Sequence, residues 1–278
     1  MQICSLNLYP VKALAGINLT RAQLTSQGLA LPLREGLVHD RQWMLINAQQ
    51  QMVTQRQLPE LACVQPQFLH GELYLTAPGI EPIAITAAPA DGPRLNSQVW
   101  KTPLHVQTCS DAVTQWLAQV LPDAGLRLVS LAGPRPMLTE RFGGQSATHF
   151  ADAAPFLVAN TASLAALNQA LQQEGDSSVD ERRFRANIWF NGLEAFNEHK
   201  IAALNLAQGV IRLVDHCQRC SVITVDPDRG VFCANAKPFK TLARLNAMPN
   251  QPKAPAFGVN AVFEQSDTPW LAIGDMWF

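Results

Sequence analysis

Apolar and polar positions alternate through much of the first hundred residues. Cys4-Ser5-Leu6-Asn7-Leu8 changes character at every step, as a strand with one buried face does. Trp43–Ile46 is a short apolar run, and Leu73/Leu75 and Ile83/Ile85 repeat the two-residue period between glycine and proline turns. Short strands at this density predict a barrel or a strongly curved sheet. The period changes after Ser110-Asp111. Val113, Trp116, Leu117, Val120 and Leu121 fall on one helical stripe, with a cap at Ser110-Asp111 and a stop at Pro122. A second helix is expected from Thr161, which would cap it, with Leu164, Leu167 and Leu171 facing inward. Strands are expected again at 188–190, 210–214 and 222–225. Residues 122–144, with Gly133-Pro134-Arg135-Pro136 and Gly143-Gly144, are rich in breakers and mark the passage from one unit to the next.

Composition narrows the class. Of 278 residues, 47% are hydrophobic and 15% charged, which favours a packed globular protein over a disordered chain. The formal net charge is -1 and no block of like charge stands out, so neither a nucleic-acid footprint nor a polybasic membrane anchor is expected. Pro10 and Lys12 interrupt the first apolar stretch, and no apolar run approaches the roughly 20 residues of a membrane helix. A cytoplasmic location is the default expectation. The six cysteines, at 4, 63, 109, 217, 220 and 233, do not make a disulfide scaffold in a chain this long.

The chain lacks the glycine-rich phosphate loops of dinucleotide and nucleotide binders, a Gly-x-Ser-x-Gly elbow and a His-Glu-x-x-His pair. Its chemistry concentrates at His216-Cys217-Gln218-Arg219-Cys220. Zinc binding would need two more ligands at a suitable spacing. A redox pair would normally open a helix, whereas β-branched residues and then Asp226-Pro227-Asp228-Arg229-Gly230 follow here, a strand and a turn. Two buried cysteines at a strand end remain an equal reading of the spacing. Arg219 and His216 tip the balance, because positive charge favours a thiolate, and a soft thiolate suits a soft or borderline metal.

Cys-Gln-Arg-Cys followed by Thr224-Val225-Asp226-Pro227-Asp228-Arg229-Gly230 closely resembles the signature of MOSC-domain proteins. Further landmarks of that family occur in order: Tyr9-Pro10-Val11-Lys12, Asp40-Arg41-Gln42-Trp43, Thr54-Gln55-Arg56-Gln57, Phe150-Ala151-Asp152, Phe184-Arg185-Ala186-Asn187, Phe257-Gly258-Val259-Asn260 and Ile273-Gly274-Asp275. Taken together they resemble the subgroup containing the mitochondrial amidoxime-reducing component. The resemblance implies a mainly β protein with flanking helices: an N-terminal MOSC-associated β domain over about 1–120 and a MOSC β-barrel domain over about 121–278, with a cofactor in the cleft between them.

The resemblance also implies a molybdenum–molybdopterin cofactor in its non-nucleotide form. Cys220 would ligate the metal. Lys12, Arg41 and Arg185, with Asn187, would hold the pterin phosphate, and Gln218 and Arg219 would also bind the cofactor. The implied reaction is reduction of an N-hydroxylated compound with electrons from a separate flavin or iron–sulfur protein, since no later cysteine cluster could hold an iron–sulfur centre. Cofactor carriage, or sulfur transfer through a Cys220 persulfide, is the alternative. Without the resemblance, Lys12 and Arg41 would read as surface residues. Asp152 and Asn160 would serve equally as pocket, cap or turn residues. Three positions depart from the family: Ala13 and Gln218 stand where serine is usual, and Ala186 where proline is.

Overall fold

The computed structural model describes residues 1–87, 90–123, 125–133, 135, 147–207, 209–263 and 267–278. The Gly143-Gly144 breaker lies outside these residues. Strand dominates. The largest sheet runs in the order Ala203–Leu206, Gly209–Gln218, Gln251–Phe263, Phe156–Asn160, Ile188–Asn191, Gln2–Leu8 and Ile17–Leu19, with Ala247–Met248 also paired to Gln251–Phe263. A second sheet joins Arg94–Val99, Thr102–Thr108, Arg127–Leu131 and Trp43–Ile46. A third joins Trp270–Ala272, Arg21–Thr25, Gly28–Leu33 and Gly36–His39, and Gln65–Leu69, Glu72–Ala77 and Ile80–Ile85 form a three-stranded meander.

The two chain ends change places. Gln2–Leu8 pairs antiparallel with Ile188–Asn191, deep in the second half, while Trp270–Ala272 pairs with Arg21–Thr25 in the first. The simple alternation expected at Cys4 is broken by a bulge between Ile3 and Ser5, which shifts the phase so that Ile3, Leu6 and Leu8 are all buried.

Helix α1 (Asp111–Val120) forms as its stripe predicts, with Ser110 Oγ accepting from the Ala112 N–H at 3.1 Å. Helix α2 (Thr161–Gln173) is capped by Asn160 and not Thr161: Asn160 Oδ1 accepts from Ala162 N at 3.1 Å. Residues 222–225 do not form the expected strand. Ser221–Thr224 makes a 3₁₀ turn, closed by Thr224 Oγ1 donating to Ser221 O at 2.7 Å, and extended pairing starts only at Val225–Asp226. Helix α3 (Phe239–Leu245) spans two turns, too few for a hydrophobic repeat to announce it.

Phe184, Trp189 and Phe257 pack behind the cysteine loop, with ring centroids 4.0 Å apart for Phe184–Phe257 and 5.8 Å for Trp189–Phe257. Gly258 follows with φ 71, and a Cβ there would lie 2.7 Å from Val158 O, so the Phe-Gly landmark marks a close approach to the paired strand Phe156–Asn160. Among the described residues no helix is long and apolar enough to cross a membrane.

Two histidine pairs are half-buried: His39 against His149 and His199 against His216. Burial, reinforced by the neighbouring imidazole, pushes His149 and His199 down from 6.5 to about 4. Between those values the unfolded chain binds protons that the folded chain refuses. Stability is therefore full above about pH 6.5 and falls as pH drops towards about 4. Denaturant midpoints measured across this window should show the slope. A His149→Gln/His199→Gln variant should flatten it; an unchanged slope would assign the acid sensitivity to other groups.

Candidate functional site

Two distant stretches of the first half are zipped together. Arg41 N donates to Tyr9 O at 2.7 Å, Trp43 N to Pro10 O at 3.1 Å, and Lys12 N to Trp43 O at 2.8 Å. This pairing sets Lys12 beside Arg41. Three nearby non-glycine residues adopt left-handed backbone: Ala13 (φ 71), Arg41 (φ 51) and Arg185 (φ 55). Such conformations cost about 1–3 kcal/mol each and persist only where the surroundings enforce them. Here the enforcement is visible: Gln55 Nε2 donates to Ala13 O at 2.6 Å, and Arg41 Nη2 to Arg185 O at 3.0 Å.

Asp40 organises the centre. Its carboxylate, 1% exposed, pairs with Arg41 and accepts from Tyr9 N and Asn187 Nδ2, each at 2.9 Å. Asn187 is fully engaged. Its Oδ1 accepts from Leu157 N at 3.1 Å and Arg41 Nη1 at 3.2 Å, and its Nδ2 also donates to Asn7 O at 3.2 Å. It fixes Asp40 and Arg41 and has no donor left over for a ligand. Both guanidiniums lie against Tyr9, with Arg41 Cζ 4.6 Å and Arg185 Cζ 4.4 Å from the ring centroid. Burial pushes the Tyr9 phenol up to about 12.

Lys12 is buried, not a surface residue. Its ammonium donates to Phe150 O at 2.8 Å and pairs with Asp152, which also accepts from Trp100 Nε1 at 2.9 Å. Desolvation lowers the Lys12 pKa, against the pull of Asp152. At Asp152 desolvation works the other way, but Lys12 outweighs it and holds the carboxyl at about 2. Burial, then repulsion from Arg41, lowers Arg185 to about 10. Two cations side by side in a desolvated place are electrostatically primed for an anion.

The cysteines come from the end of the strand Gly209–Gln218, in the second half of the chain. Gly209–Gln218 carries register shifts at Leu213/Asp215 and His216/Gln218, and such bulges re-aim side chains near a strand end. Cys217, Gln218, Arg219 and Cys220 line a cavity of about 360 Å³ together with Arg41 and Arg185. Arg219 Nη1 donates to Cys217 Sγ at 2.9 Å and Nη2 to Phe184 O at 2.8 Å, while its Nε is buried without a partner. His216 turns away to pack against His199, with centroids 4.0 Å apart and the rings tilted by 47°, and does not line the cavity. Among the described residues no group of three or more His, Cys, Asp or Glu could hold a metal ion, so the described side chains do not form a zinc cage.

The expected residues thus converge from both halves on one cavity: Arg41 from the first, and Arg185, Asn187 and the cysteine loop from the second, line it, and Lys12 is joined to it through Asp152. Residues 1–124 match the MOSC N-terminal beta barrel domain and residues 145–277 the MOSC domain. The chain is a MOSC-domain protein. It is 30% identical to the human mitochondrial amidoxime-reducing component 1 over 98% of this chain and 81% of that protein. The rat mitochondrial amidoxime reducing component 2 is 30% identical over 84% of this chain and 69% of its own length. A molybdenum cofactor sulfurase of Drosophila grimshawi is 28% identical over 88% of this chain but only 30% of the sulfurase.

Within this MOSC protein, Asn160 is no pocket residue. It caps α2 and donates to Glu194 O at 2.8 Å. Asp226 and Asp228 hold a turn: Asp226 Oδ1 accepts from the Asp228 and Arg229 N–H groups, and Asp228 pairs with Arg182. Tyr9, Asp40 and Trp100 also belong to the site, although no local pattern marks them as functional. Tyr9 and Asp40 stand inside the Tyr9–Lys12 and Asp40–Trp43 landmarks beside Lys12 and Arg41, which is the signal the sequence offers; Trp100 carries none.

Proposed function

We propose that this chain binds a molybdenum–molybdopterin cofactor and reduces N-hydroxylated compounds. The supporting observation is the convergence of Cys220, Arg41 and Arg185 on one cavity, with Lys12 held next to it through Asp152, which lines the cavity. The residues suit the group. Lys12, Arg41, Arg185 and Arg219 outnumber the carboxylates Asp40 and Asp152, and Arg219 Nε has an unused donor. Arg185 would meet the phosphate, because Lys12 and Arg41 already have carboxylate partners; those two would supply their remaining donors and charge. Cys220 would ligate the metal. When bound, the cofactor would supply the two-electron chemistry.

The net reaction is balanced by two electrons and two protons: an amidoxime becomes an amidine and water. The electrons would come from a separate flavin or iron–sulfur protein. Asp152 is a carboxylate at neutral pH, so its part is to hold Lys12 and not to donate a proton. Asn187 and Asp40 would keep Arg41 aligned, and Arg219 would tie the cysteine loop to the Phe184 carbonyl.

Protein made in a molybdenum-replete host should carry about one molybdenum per chain and release a pterin without a nucleotide, the occupancy the family reading requires. With a chemical reductant it should convert benzamidoxime to benzamidine. Zinc at that stoichiometry without pterin would defeat the cofactor reading. Full molybdenum loading with no turnover of any N-hydroxylated compound would leave cofactor carriage as the function. Arg185→Ala should weaken cofactor retention by about ten- to a hundredfold, the worth of one charge-assisted bond. Undiminished pterin content in that variant would place the phosphate elsewhere.

A further inference from the structure

Cys220 borders two spaces. One is the cationic cavity. The other is an open groove of about 550 Å³ walled by Ser221, Thr224, Ala236 and Phe239, which shares Arg56, Gln218, Arg219 and Cys220 with the cavity. Its size falls within the range of small-molecule sites, about 300–1,000 Å³.

The groove differs from the cavity in chemistry. Phe239 is half-buried and packs onto the cluster containing Phe184, Trp189 and Phe257, so it is a fixed apolar wall. The Thr224 hydroxyl hydrogen is spent on Ser221 O. Of the two cations, Arg219 has its Nη atoms committed to Cys217 and Phe184. Arg56 is different. It is exposed, and among the described residues no carboxylate pairs with it. Its guanidinium carbon lies 4.4 Å from the Trp100 ring centroid, and Trp100 is itself tethered to Asp152. A guanidinium stacked in this way is pre-organised, so less entropy is lost when it meets a partner.

We propose that this groove is the face that selects substrate, and that Arg56 favours planar aromatic compounds bearing an acidic substituent. The ring would lie against Phe239 and Ala236. The acidic group would take the planar fork of Arg56, and the N-hydroxyl end would point to Cys220. Neutral aromatics would share the wall but forgo the ion pair. The proposal rests on the reductase reading for what happens to the compound, but not for whether it binds.

The test therefore reads binding and turnover separately. Holoprotein is titrated with benzamidoxime and with 4-carboxybenzamidoxime, with binding followed by calorimetry, and kcat/KM is measured for both. Wild type should bind the carboxylated compound about five- to tenfold more tightly, as one ion pair in a half-open groove allows. Arg56→Gln should bring the ratio of affinities close to one, and high salt should do the same in wild type. Equal affinities in wild type would overturn the proposal, as would a ratio unchanged by Arg56→Gln. Loss of pterin from Arg56→Gln would also overturn it, by placing Arg56 on the cofactor. If the affinity ratio holds while neither compound is reduced, the groove assignment stands and the reductase reading falls.

Discussion

Cys220→Ala is expected to abolish benzamidoxime reduction and to change or eliminate the molybdenum absorption spectrum, while the apoprotein remains folded. The side chain is only partly buried and lies at the end of a strand where the next turn is held by Thr224 and Ser221, not by the thiol. Its removal therefore takes little packing. The catalytic loss is total because the proposed reading gives the protein a single ligand to the metal; Cys217, the other thiol on the cavity, is engaged by Arg219 Nη1. Cys217 is the internal control. Its sulfur accepts from Arg219 Nη1 and packs on the Phe184–Trp189–Phe257 cluster. Cys217→Ser, which keeps an acceptor for Arg219, should retain most activity, and Cys217→Ala should lose more. If Cys217→Ser is as inactive as Cys220→Ala and the wild-type thiols titrate as one disulfide, the pair is a redox couple and the metal assignment fails.

The largest stability loss is expected from Asp40→Ala. Asp40 is 1% exposed, and the Arg41 side chain beside it is 12% exposed. Removing one member of a buried pair leaves the other desolvated and unbalanced, at about 3–5 kcal/mol. Two further donors, Tyr9 N and Asn187 Nδ2, would lose an acceptor in the same stroke. Asp40→Asn keeps the shape and loses only the charge, so it should fall between Asp40→Ala and wild type. Denaturant unfolding of the apoprotein would check this without any cofactor. A loss below about 1 kcal/mol for Asp40→Ala would mean that water or a neighbour takes over the Arg41 charge, and that Asp40 is not the organising group described above.

Much of the fold was legible in the sequence wherever a local pattern was long enough. The α1 stripe, five residues over nine positions, ends up as drawn, and so do the strands at Trp43–Ile46, Glu72–Ala77 and Ile80–Ile85. The misreadings share a physical cause. At 222–225 the β-branched residues suggested a strand, but one hydroxyl bond closes a 3₁₀ turn that propensity does not see. At Thr161 the cap belongs one residue earlier, because Asn160 is free to be extended at the end of a strand and its amide reaches Ala162 N. At Cys4 a bulge shifted the phase of an otherwise regular strand.

By itself, the sequence determined the chemistry on offer: one Cys-x-x-Cys loop, several scattered cations, and ordered landmarks resembling the MOSC family. Only the tertiary structure decided what each cation does. Lys12 and Asp152 are 140 residues apart, and Arg41 and Asn187 are 146, so no local rule relates them. Their meeting depends on Gln2–Leu8 inserting into a sheet built from the other half of the chain, and on the left-handed backbone of Ala13, Arg41 and Arg185. Both are settled by where buried polar groups find partners. An unpaired carboxylate or guanidinium in the interior costs more than backbone strain, so the network of Asp40, Asn187 and Arg41 holds conformations that isolated residues would not adopt.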